Sequence, residues 1–325
     1  MKKLDVVGVC NALVDILIAA DEPDIKTLGL TKGIMHLVDA PRQTTVLEHF
    51  SRKPQAIELG GSALNAIRTL AQLEKATAFA GMVGNDDFGE RIRRRMHQLG
   101  ITAHLGRGTE PTGSCVILIT PDGERTMNTH LGASRLYGEA EVPHDDIAAA
   151  QVLHFCGYQW DTEGQMQAIR SAIATAKRSG TLVSFDVADP FVVGRNRDAF
   201  LKVIEDDADI VFANREEAKM LFDGPASLAA QRIAASGAIA VIKLGSDGAM
   251  VQKGKDVYAI APVPTQVVDT TAAGDMFAAG FLYGLTSSKS LPMAGAMGAT
   301  LASDVIKRVG ATVSDAALAL VGAMD

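Results

Sequence analysis

The stretch Val267-Val-Asp-Thr-Thr-Ala-Ala-Gly-Asp-Met-Phe-Ala-Ala-Gly-Phe281 combines small residues, two carboxylates and the start of an apolar helix face. Its opening valine pair predicts the end of a strand, and the apolar spacing from Met276 predicts a helix that begins near Ala273. The first turn of such a helix carries unpaired backbone N–H groups, which bind anions. The small residues from Ala272 to Gly274 leave room for a ligand to reach that backbone. The stretch therefore predicts an anion site.

Asp275 falls within this first turn and admits two interpretations. A carboxylate at a helix N-terminus is ordinarily a cap or a favourable charge on the helix dipole. A carboxylate beside an anion site also suits phosphoryl transfer, because donors neutralise the developing charge while a nearby base receives the proton of the attacking hydroxyl. The small residues before Asp275 favour the second interpretation, since a simple cap does not require them.

Composition narrows the class of protein. The 325 residues, of which 47% are hydrophobic, suffice for one large α/β domain or two smaller ones. A net charge of −7 argues against a broad nucleic-acid surface, and no apolar run is long enough to span a membrane. Cys10, Cys115 and Cys156 lie among apolar neighbours and predict buried thiols. We expect a soluble, cytoplasmic protein.

From residue 152 onward, strand and helix patterns alternate. The predicted strands are 152–156, 181–187, 209–213 and 238–244, and the predicted helices are 164–178, 197–205, 214–222 and 226–235. Such alternation is typical of a parallel sheet with helices on both faces. We therefore expect ligands at the carboxyl ends of the strands.

The first part of the chain predicts a smaller β structure. Extended stretches fall near 12–19 and 34–38, and an antiparallel ribbon at 113–130 surrounds the turn Pro121–Glu124. Asn11 and Asp15 lie in an otherwise apolar strand region. Together they favour recognition of a ligand hydroxyl.

A glycine pair, Gly60–Gly61, precedes a predicted helix. Either Ser62 simply caps this helix, or Gly60 and Gly61 let a ligand touch the backbone while Asn65, one turn further on, points back to that ligand. The sequence alone leaves both interpretations open.

Two further stretches also have a structural and a functional interpretation. Asn214 and Glu217 match a capping box, and Glu217 could at the same time hold a water-coordinated Mg²⁺. Lys243–Gly248 is either a turn between two strands or a loop against a nucleotide. Neither a Walker A motif nor the dinucleotide-binding glycine fingerprint occurs, which leaves a nucleotide enzyme of another design.

The motif Asp269-Thr-Thr-Ala-Ala-Gly-Asp275, with Gly60–Gly61 and Asn65 upstream, resembles the PfkB (ribokinase-like) carbohydrate kinase family. The resemblance covers essentially the whole chain in the right order. It implies one kinase domain over residues 1–325, with a three-layer α/β/α fold and a mostly parallel sheet. It also implies a small β lid, built from the discontinuous segments near 12–19, 34–38 and 113–130.

The resemblance assigns expected roles to individual residues. The catalytic group comprises the base Asp275 and the backbone N–H groups of Ala272, Ala273, Gly274 and Asp275. Expected substrate-binding residues are Asn11, Asp15, Gly60, Gly61 and Asn65. Residues expected to bind ATP, with Mg²⁺ held by Glu217 through water, are Asn214, Glu217, Lys243, Gly245 and Gly248. An activating monovalent cation such as K⁺ would be held by Asp269, Thr271, Gly310 and Ser314.

Within the family, the segments Asn11–Asp15, Gly60–Asn65, Pro111–Cys115 and Asn214–Glu217 are similar to the adenosine kinase branch. The similarity implies phosphorylation of a primary hydroxyl on a ribosyl or nucleoside substrate. The lid stretch Thr126–Ser134 diverges, so a kinase of a plain sugar such as fructose, ribose or 2-keto-3-deoxygluconate is the alternative. The non-enzyme alternative is a catalytically silent nucleoside or sugar sensor. The lid edge is either free or the seam of a homodimer.

Ala272 departs from the family pattern, which usually has glycine at this position. If the position requires a positive φ, alanine is strained there by roughly 1 kcal/mol or more. If the glycine serves only close approach of a ligand, alanine narrows the pocket slightly.

Overall fold

A computed structural model describes residues 2–324, which form two sheets and their surrounding helices. The strands are β1 (Leu4–Val9), β2 (Leu13–Ala19), β3 (Met35–Leu37), β4 (Gln55–Gly60), β5 (Thr77–Val83), β6 (Thr102–Arg107), β7 (Thr112–Ile119), β8 (Arg125–Gly132), β9 (Ala150–Cys156), β10 (Leu182–Asp186), β11 (Ile210–Asn214), β12 (Ile239–Lys243), β13 (Ala249–Lys253) and β14 (Asp256–Ile260). The helices are α1 (Glu22–Thr27), α2 (Ala40–His49), α3 (Ser62–Gln72), α4 (Asp87–Gln98), α5 (His144–Ala149), α6 (Glu163–Ser179), α7 (Pro190–Asp206), α8 (Arg215–Phe222), α9 (Ala226–Ala235), α10 (Ala273–Thr286), α11 (Leu291–Val305) and α12 (Asp315–Gly322).

The large sheet has the strand order β14-β13-β12-β11-β10-β9-β1-β5-β6. Its strands are parallel from β12 to β6, and the hairpin β13–β14 adds an antiparallel edge. Alternate residues of β1 point to opposite faces, so Val6 and Val7 belong to two separate apolar cores. Helices α3, α4, α10 and α11 cover one face, and α5 to α9 cover the other. This is the predicted three-layer arrangement.

The small sheet has the order β3-β8-β7-β2-β4. It contains the extended segments and the antiparallel ribbon that the sequence predicted, and β4 is an addition that the sequence reading missed. The chain passes from the large sheet to the small sheet between β1 and β2, and returns after β4 through Gly61 into α3. The small sheet therefore stands beside the carboxyl ends of the parallel strands.

The predicted strand end at Val267–Val268 is wrong. Residues 261–270 form no strand, and the two valines are 56% and 47% exposed. Pro262 and Pro264 lack the N–H groups that a sheet ladder needs, and the N–H of Val268 donates instead to the carbonyl of Ile306 at 2.8 Å. This extended loop carries the chain to the start of α10.

Candidate active site

A cavity of about 910 Å³ lies between the small sheet and the carboxyl ends of the large sheet. It is lined by the turn after β1, residues of β2, the turn after β4, the ends of β10 to β12 and the start of α10. The cavity contains most of the residues that the sequence singled out, namely Asn11, Asp15, Gly61, Asn214, Glu217, Lys243, Gly245, Gly248, Thr271, Ala272, Ala273, Gly274 and Asp275. Segments far apart in sequence therefore meet in one site.

Asp275 lies in the first turn of α10 and is held by the helix that follows the Gly60–Gly61 pair. Its two carboxylate oxygens accept hydrogen bonds from Ser62 Oγ (2.6 Å) and Asn65 Nδ2 (2.9 Å). Ser62 is not a cap, because α3 has Gly61 at its N-cap position and no side-chain cap bond. Burial raises the pKa of Asp275, and the bonds from Ser62 and Asn65 oppose that rise. The carboxylate is thus oriented and made more basic.

The turn into α10 offers backbone donors beside this carboxylate. The N–H of Ala273 donates to the carbonyl of Thr270 at 3.3 Å. Within residues 2–324, no protein acceptor is found for the N–H groups of Gly274 and Asp275. Part of the predicted donor set is therefore engaged in the turn, and the remainder is available to an anion.

Ala272 is the N-cap of α10 and has φ 58° and ψ 9°, in the left-handed region. Its carbonyl accepts the N–H of Met276 at 2.9 Å, which fixes the first hydrogen bond of the helix. The position thus requires a positive φ, which costs an alanine about 1–2 kcal/mol. The observed φ supports the interpretation in which alanine is strained at this position, rather than the one in which alanine only narrows the pocket.

The Gly60–Gly61 pair makes room for protein groups. A methyl group built at Gly60 would overlap the carboxylate of Asp15, and one at Gly61 (φ 107°) would overlap the carbonyl of Asn11. The glycines therefore let the end of β4 and the turn into α3 lie close against Asn11 and Asp15, and only Gly61 also lines the cavity. Burial raises the pKa of Asp15 to about 7, with Arg68 opposing the rise and Asp275 adding to it.

The ends of β10, β11 and β12 bring together a second charged group. The carboxylate of Glu217 accepts from the N–H (2.7 Å) and Nδ2 (2.5 Å) of Asn214, and the Asn214 side chain caps α8 in return. The predicted capping box is therefore confirmed. Burial raises the pKa of Glu217 to about 7, and the Lys243 ammonium opposes that rise.

Lys243 carries its positive charge to the start of α10. Its Nζ lies 3.2 Å from Asp186 Oδ2, and 3.0 Å from the position that a methyl group on Gly274 would take. Burial alone would lower the pKa of Lys243, but Asp186 and Glu217 raise it above its ordinary value. A protonated amine therefore adjoins the backbone donors of α10. The loop after Lys243 is a turn between β12 and β13, and its residues Gly245 and Gly248 line the cavity. Its contact with a nucleotide stays a prediction.

Arg125, at the start of β8 in the small sheet, lines the cavity and was not predicted as a site residue from the sequence. Its Nε lies 2.8 Å from Asp269 Oδ1, its Nη2 donates to Thr270 Oγ1 at 3.0 Å, and its Nη1 bonds Thr271 Oγ1. Asp269 also accepts from the N–H of Gly310 at 2.9 Å. The only sequence signal was a cation directly after the Pro121–Glu124 turn.

The four residues expected to hold a monovalent cation fall into two groups. Asp269, Thr271 and Gly310 are joined by hydrogen bonds, and the Arg125 guanidinium is bonded to this group. Ser314 instead caps α12, and its N–H donates to Asp304 Oδ2 at 2.7 Å. In this structure the guanidinium of Arg125 is paired with Asp269, which is the carboxylate that the expected monovalent cation would need as a ligand.

Two findings concern the described residues as a whole, one about metal ligands and one about helix length. Among residues 2–324, no three His, Cys, Asp or Glu side chains converge as a metal cage. None of the helices over the same residues has the length and apolar character that crossing a bilayer requires.

The fold resembles those of known kinases. A solved probable sugar kinase from Rhizobium etli superposes with a TM-score of 0.91 at 36% identity, covering 98% of both chains. An adenosine kinase from Sinorhizobium meliloti gives a TM-score of 0.90 at 35% identity, also over 98% of both chains. An ATP-dependent ribose-1-phosphate kinase from Halopiger xanaduensis is 32% identical over 69% of this chain and 72% of its own length.

The model of the pfkB family of carbohydrate kinases matches residues 51–317, which include the turn after β4, the capping box of α8 and the start of α10. These are the elements that meet around Asp275. With its α/β fold and its cavity at the carboxyl ends of the parallel strands, the chain belongs to the pfkB carbohydrate kinase family, and it is a sugar or nucleoside kinase.

Proposed function

We propose that the chain transfers the γ-phosphoryl group of ATP to a primary hydroxyl of a nucleoside, as an adenosine kinase does. The observation that carries the proposal is the position of Asp275, bonded to Ser62 and Asn65 and adjoining both free backbone donors and the cavity. A raised carboxylate pKa and an anion site are what transfer to a hydroxyl needs.

In the proposed reaction, Asp275 accepts the proton of the acceptor hydroxyl. The N–H groups at the start of α10 and the Lys243 ammonium stabilise the negative charge on the transferred group. Ser62 and Asn65 keep the carboxylate aimed at the hydroxyl, which contributes by positioning. Asn11 and Asp15 hold further hydroxyls of the acceptor from the floor of the cavity.

We place ATP along the ends of β11 and β12, where Asn214, Glu217, Lys243, Gly245 and Gly248 line the cavity. Mg²⁺, when bound, would neutralise phosphate charge there. Each Glu217 oxygen accepts one hydrogen bond from Asn214 and keeps a further lone pair, with which Glu217 would hold a metal-bound water. K⁺ stays a candidate activator at Asp269 and Thr271, in competition with Arg125.

The lining of the small sheet favours a nucleoside over a plain sugar. Met35, Leu37, Met127 and Leu131 present an apolar wall to the cavity, and such a wall suits the face of a base better than a sugar rich in hydroxyls. Burial raises the pKa of Asp15, and the negative charge of Asp275 adds to that rise, so this part of the cavity is acidic. This disfavours an acceptor that already carries a phosphate.

We also propose that residues 1–325 act as one catalytic domain and that the free edges β3 and β4 of the small sheet are the surfaces for a homodimer. Light scattering on the purified protein measures its molar mass, and therefore whether it forms a dimer. A monomer at all concentrations would show that the lid edge is free.

The test of function is release of ADP with adenosine, inosine, ribose, fructose, 2-keto-3-deoxygluconate and ribose 1-phosphate, each offered with ATP and Mg²⁺. We expect turnover with adenosine or inosine to exceed that with the sugars. Turnover with a plain sugar alone would make the chain a sugar kinase. Binding of nucleosides in calorimetry without any ADP release would instead identify a silent sensor.

A further inference from the structure

Two glutamines lie behind Asn11, on the side away from the cavity. Gln159 Nε2 and Gln165 Nε2 both donate to Asn11 Oδ1, at 2.8 and 2.9 Å. Gln159 follows β9 and Gln165 lies in the first turn of α6, so the contacts span about half the chain. The three side chains are buried, with exposures of 4% for Asn11 and 0% for both glutamines.

A backbone carbonyl fixes the direction of these hydrogen bonds. Gln165 Nε2 also donates to the carbonyl oxygen of Ser134 at 2.9 Å, and a carbonyl oxygen can only accept. If the Gln165 amide were rotated by 180°, its Oε1 would face the carbonyl oxygen of Ser134, and two acceptors would repel each other. The Nε2 of Gln165 must therefore face Ser134 and Asn11. Asn11 must therefore turn its oxygen toward Gln165, and its Nδ2 group is what remains for a ligand in the cavity.

The position of Gln165 departs from its local sequence signal. Thr162 and Gln165 have the spacing of a capping box, in which the glutamine would bond back to the N–H of Thr162. Only half of that box forms: Thr162 Oγ1 accepts from the Gln165 N–H at 3.3 Å, and the Gln165 side chain turns inward to Asn11. The Oε1 of Gln165 still accepts from Thr162 Oγ1 at 3.3 Å, while its Nε2 is bonded to Asn11 and Ser134.

Gln159 shows a similar departure. Its Oε1 is buried and has no hydrogen-bond partner among the described residues, although its Nε2 is bonded to Asn11. A buried acceptor without a partner destabilises a fold. Stability alone therefore does not account for a glutamine at this position.

We propose that Gln159 and Gln165 are positioning residues that make Asn11 a donor-only group toward the acceptor. The inference rests on the proposed function, in which Asn11 and Asp15 hold hydroxyls of the acceptor. Asn11 Nδ2 donates to an oxygen lone pair, while Asp15 accepts a hydroxyl hydrogen. This pocket selects a hydroxyl or carbonyl oxygen at the Asn11 position, and it rejects a protonated amino group, which has no lone pair to offer.

The first test replaces Gln165 with glutamate, which has the same shape but no amide donors. Gln165→Glu leaves Asn11 to turn its amide nitrogen toward the new carboxylate and its oxygen toward the cavity. We expect kcat/KM for adenosine to fall about ten- to a hundredfold, mainly through KM, with the KM for ATP unchanged. Gln167→Glu, on the exposed side of the same helix, is the matched control.

Deoxynucleosides distinguish positioning from a general structural role. The variant-to-wild-type ratio of kcat/KM should approach 1 for whichever of 2′-deoxyadenosine and 3′-deoxyadenosine lacks the hydroxyl that Asn11 holds. An equal loss on adenosine and both deoxynucleosides would overturn the proposal, as would a Gln165→Glu variant indistinguishable from wild type.

A second variant, Gln159→Met, keeps the proposal testable if Gln165→Glu folds poorly. Methionine has a similar volume and removes both the donor and the unpartnered oxygen. We expect an unchanged or higher Tm together with a raised KM for the acceptor. A fall of several degrees in Tm would show a structural role and overturn the proposal. A second readout needs no turnover, namely the Kd for adenosine measured by calorimetry. Absence of ADP release from the wild type would refute the proposed function, whereas weaker adenosine binding by Gln159→Met at an unchanged Tm would still support this inference, and equal binding would overturn it.

Discussion

The guanidinium of Arg125 on the small sheet is paired with the carboxylate of Asp269, in the loop that leads into α10, with Nε and Oδ1 2.8 Å apart. The pair is poorly exposed, at 17% and 2% of the two side chains. Through Asp269 and Thr271, the small sheet is tied to the turn that carries the backbone donors. Movement of one sheet relative to the other must therefore stretch or break this pair.

We expect Arg125→Ala to lower kcat by about ten- to a hundredfold, because the donor turn loses its support and small misplacements are costly. Turnover of this variant should also respond to K⁺, since Asp269 becomes free to take a cation. Steady-state assays with KCl exchanged for tetramethylammonium chloride measure both effects. Arg107→Ala, which breaks an exposed pair with Glu90, is the control. A K⁺ response equal to that of the wild type would contradict the prediction.

The role of Asp275 predicts a loss of chemistry without a loss of nucleotide binding. Asp275→Asn should lower kcat by roughly 10²–10⁴-fold, because the base is removed. Calorimetry should show ATP affinity within a few-fold of wild type. Asp315→Asn makes the same change in the exposed first turn of α12 and should have no effect on turnover. Undiminished turnover of Asp275→Asn would disprove the assigned role.

Ala272 predicts that this enzyme can be stabilised by a single substitution. Ala272→Gly should raise the free energy of unfolding by about 1 kcal/mol, because glycine adopts a φ of 58° without strain. A rise of about 2 °C in Tm is expected for a chain of this size. Ala273→Gly, one residue later at a helical position, should lower Tm slightly. If both changes lower Tm, the strain at Ala272 is negligible.

The raised pKa of Asp15 predicts a stability that depends on pH. Burial raises this pKa from its ordinary value of 3.8 to about 7, so the folded protein binds the proton more tightly than the unfolded chain. The resulting stabilisation is complete below about pH 4 and is lost as the pH rises through 7. The Tm of Asp15→Asn relative to wild type should therefore increase from pH 5 to pH 8.

Thermal unfolding at intervals across this range measures the difference for Asp15→Asn. Asp256→Asn, at an exposed position of β14, is the control and should give a constant difference. A constant difference for Asp15→Asn as well would show that the carboxyl titrates alike in the folded and unfolded states.

The sequence predicted the parts of the fold in which local pattern and tertiary position agree. Buried parallel strands such as β11 are continuous apolar runs, and α9 was predicted within its observed bounds. By contrast β4, with the sequence Gln-Ala-Ile-Glu-Leu-Gly, is an edge strand with mixed residues and was missed. Helix α7 begins at Pro190, seven residues before the predicted 197, because its pattern breaks at a kink at Asn196.

The residues of the candidate site also differ in whether a local sequence pattern indicates them. Asp275 and its small neighbours were predicted because a helix start can be recognised locally. Arg125, Gln159 and Gln165 were missed because their partners lie some 150 residues away in sequence, and no local pattern indicates such contacts. The sequence also suggested that the Gly60–Gly61 pair admits a ligand, whereas its space is filled chiefly by Asp15 and by the Asn11 carbonyl.

The close fit between Gly60 and the carboxylate of Asp15 restricts how the acceptor site can evolve. A methyl group at position 60 would overlap Asp15 Oδ1, so residue 60 can become larger only if the Asp15 carboxylate turns aside or residue 15 becomes smaller. Asp15 lines the cavity and is expected to hold a hydroxyl of the acceptor, whereas Gly60 does not line the cavity. A substitution at position 60 can therefore alter acceptor specificity indirectly, by moving the carboxylate of Asp15.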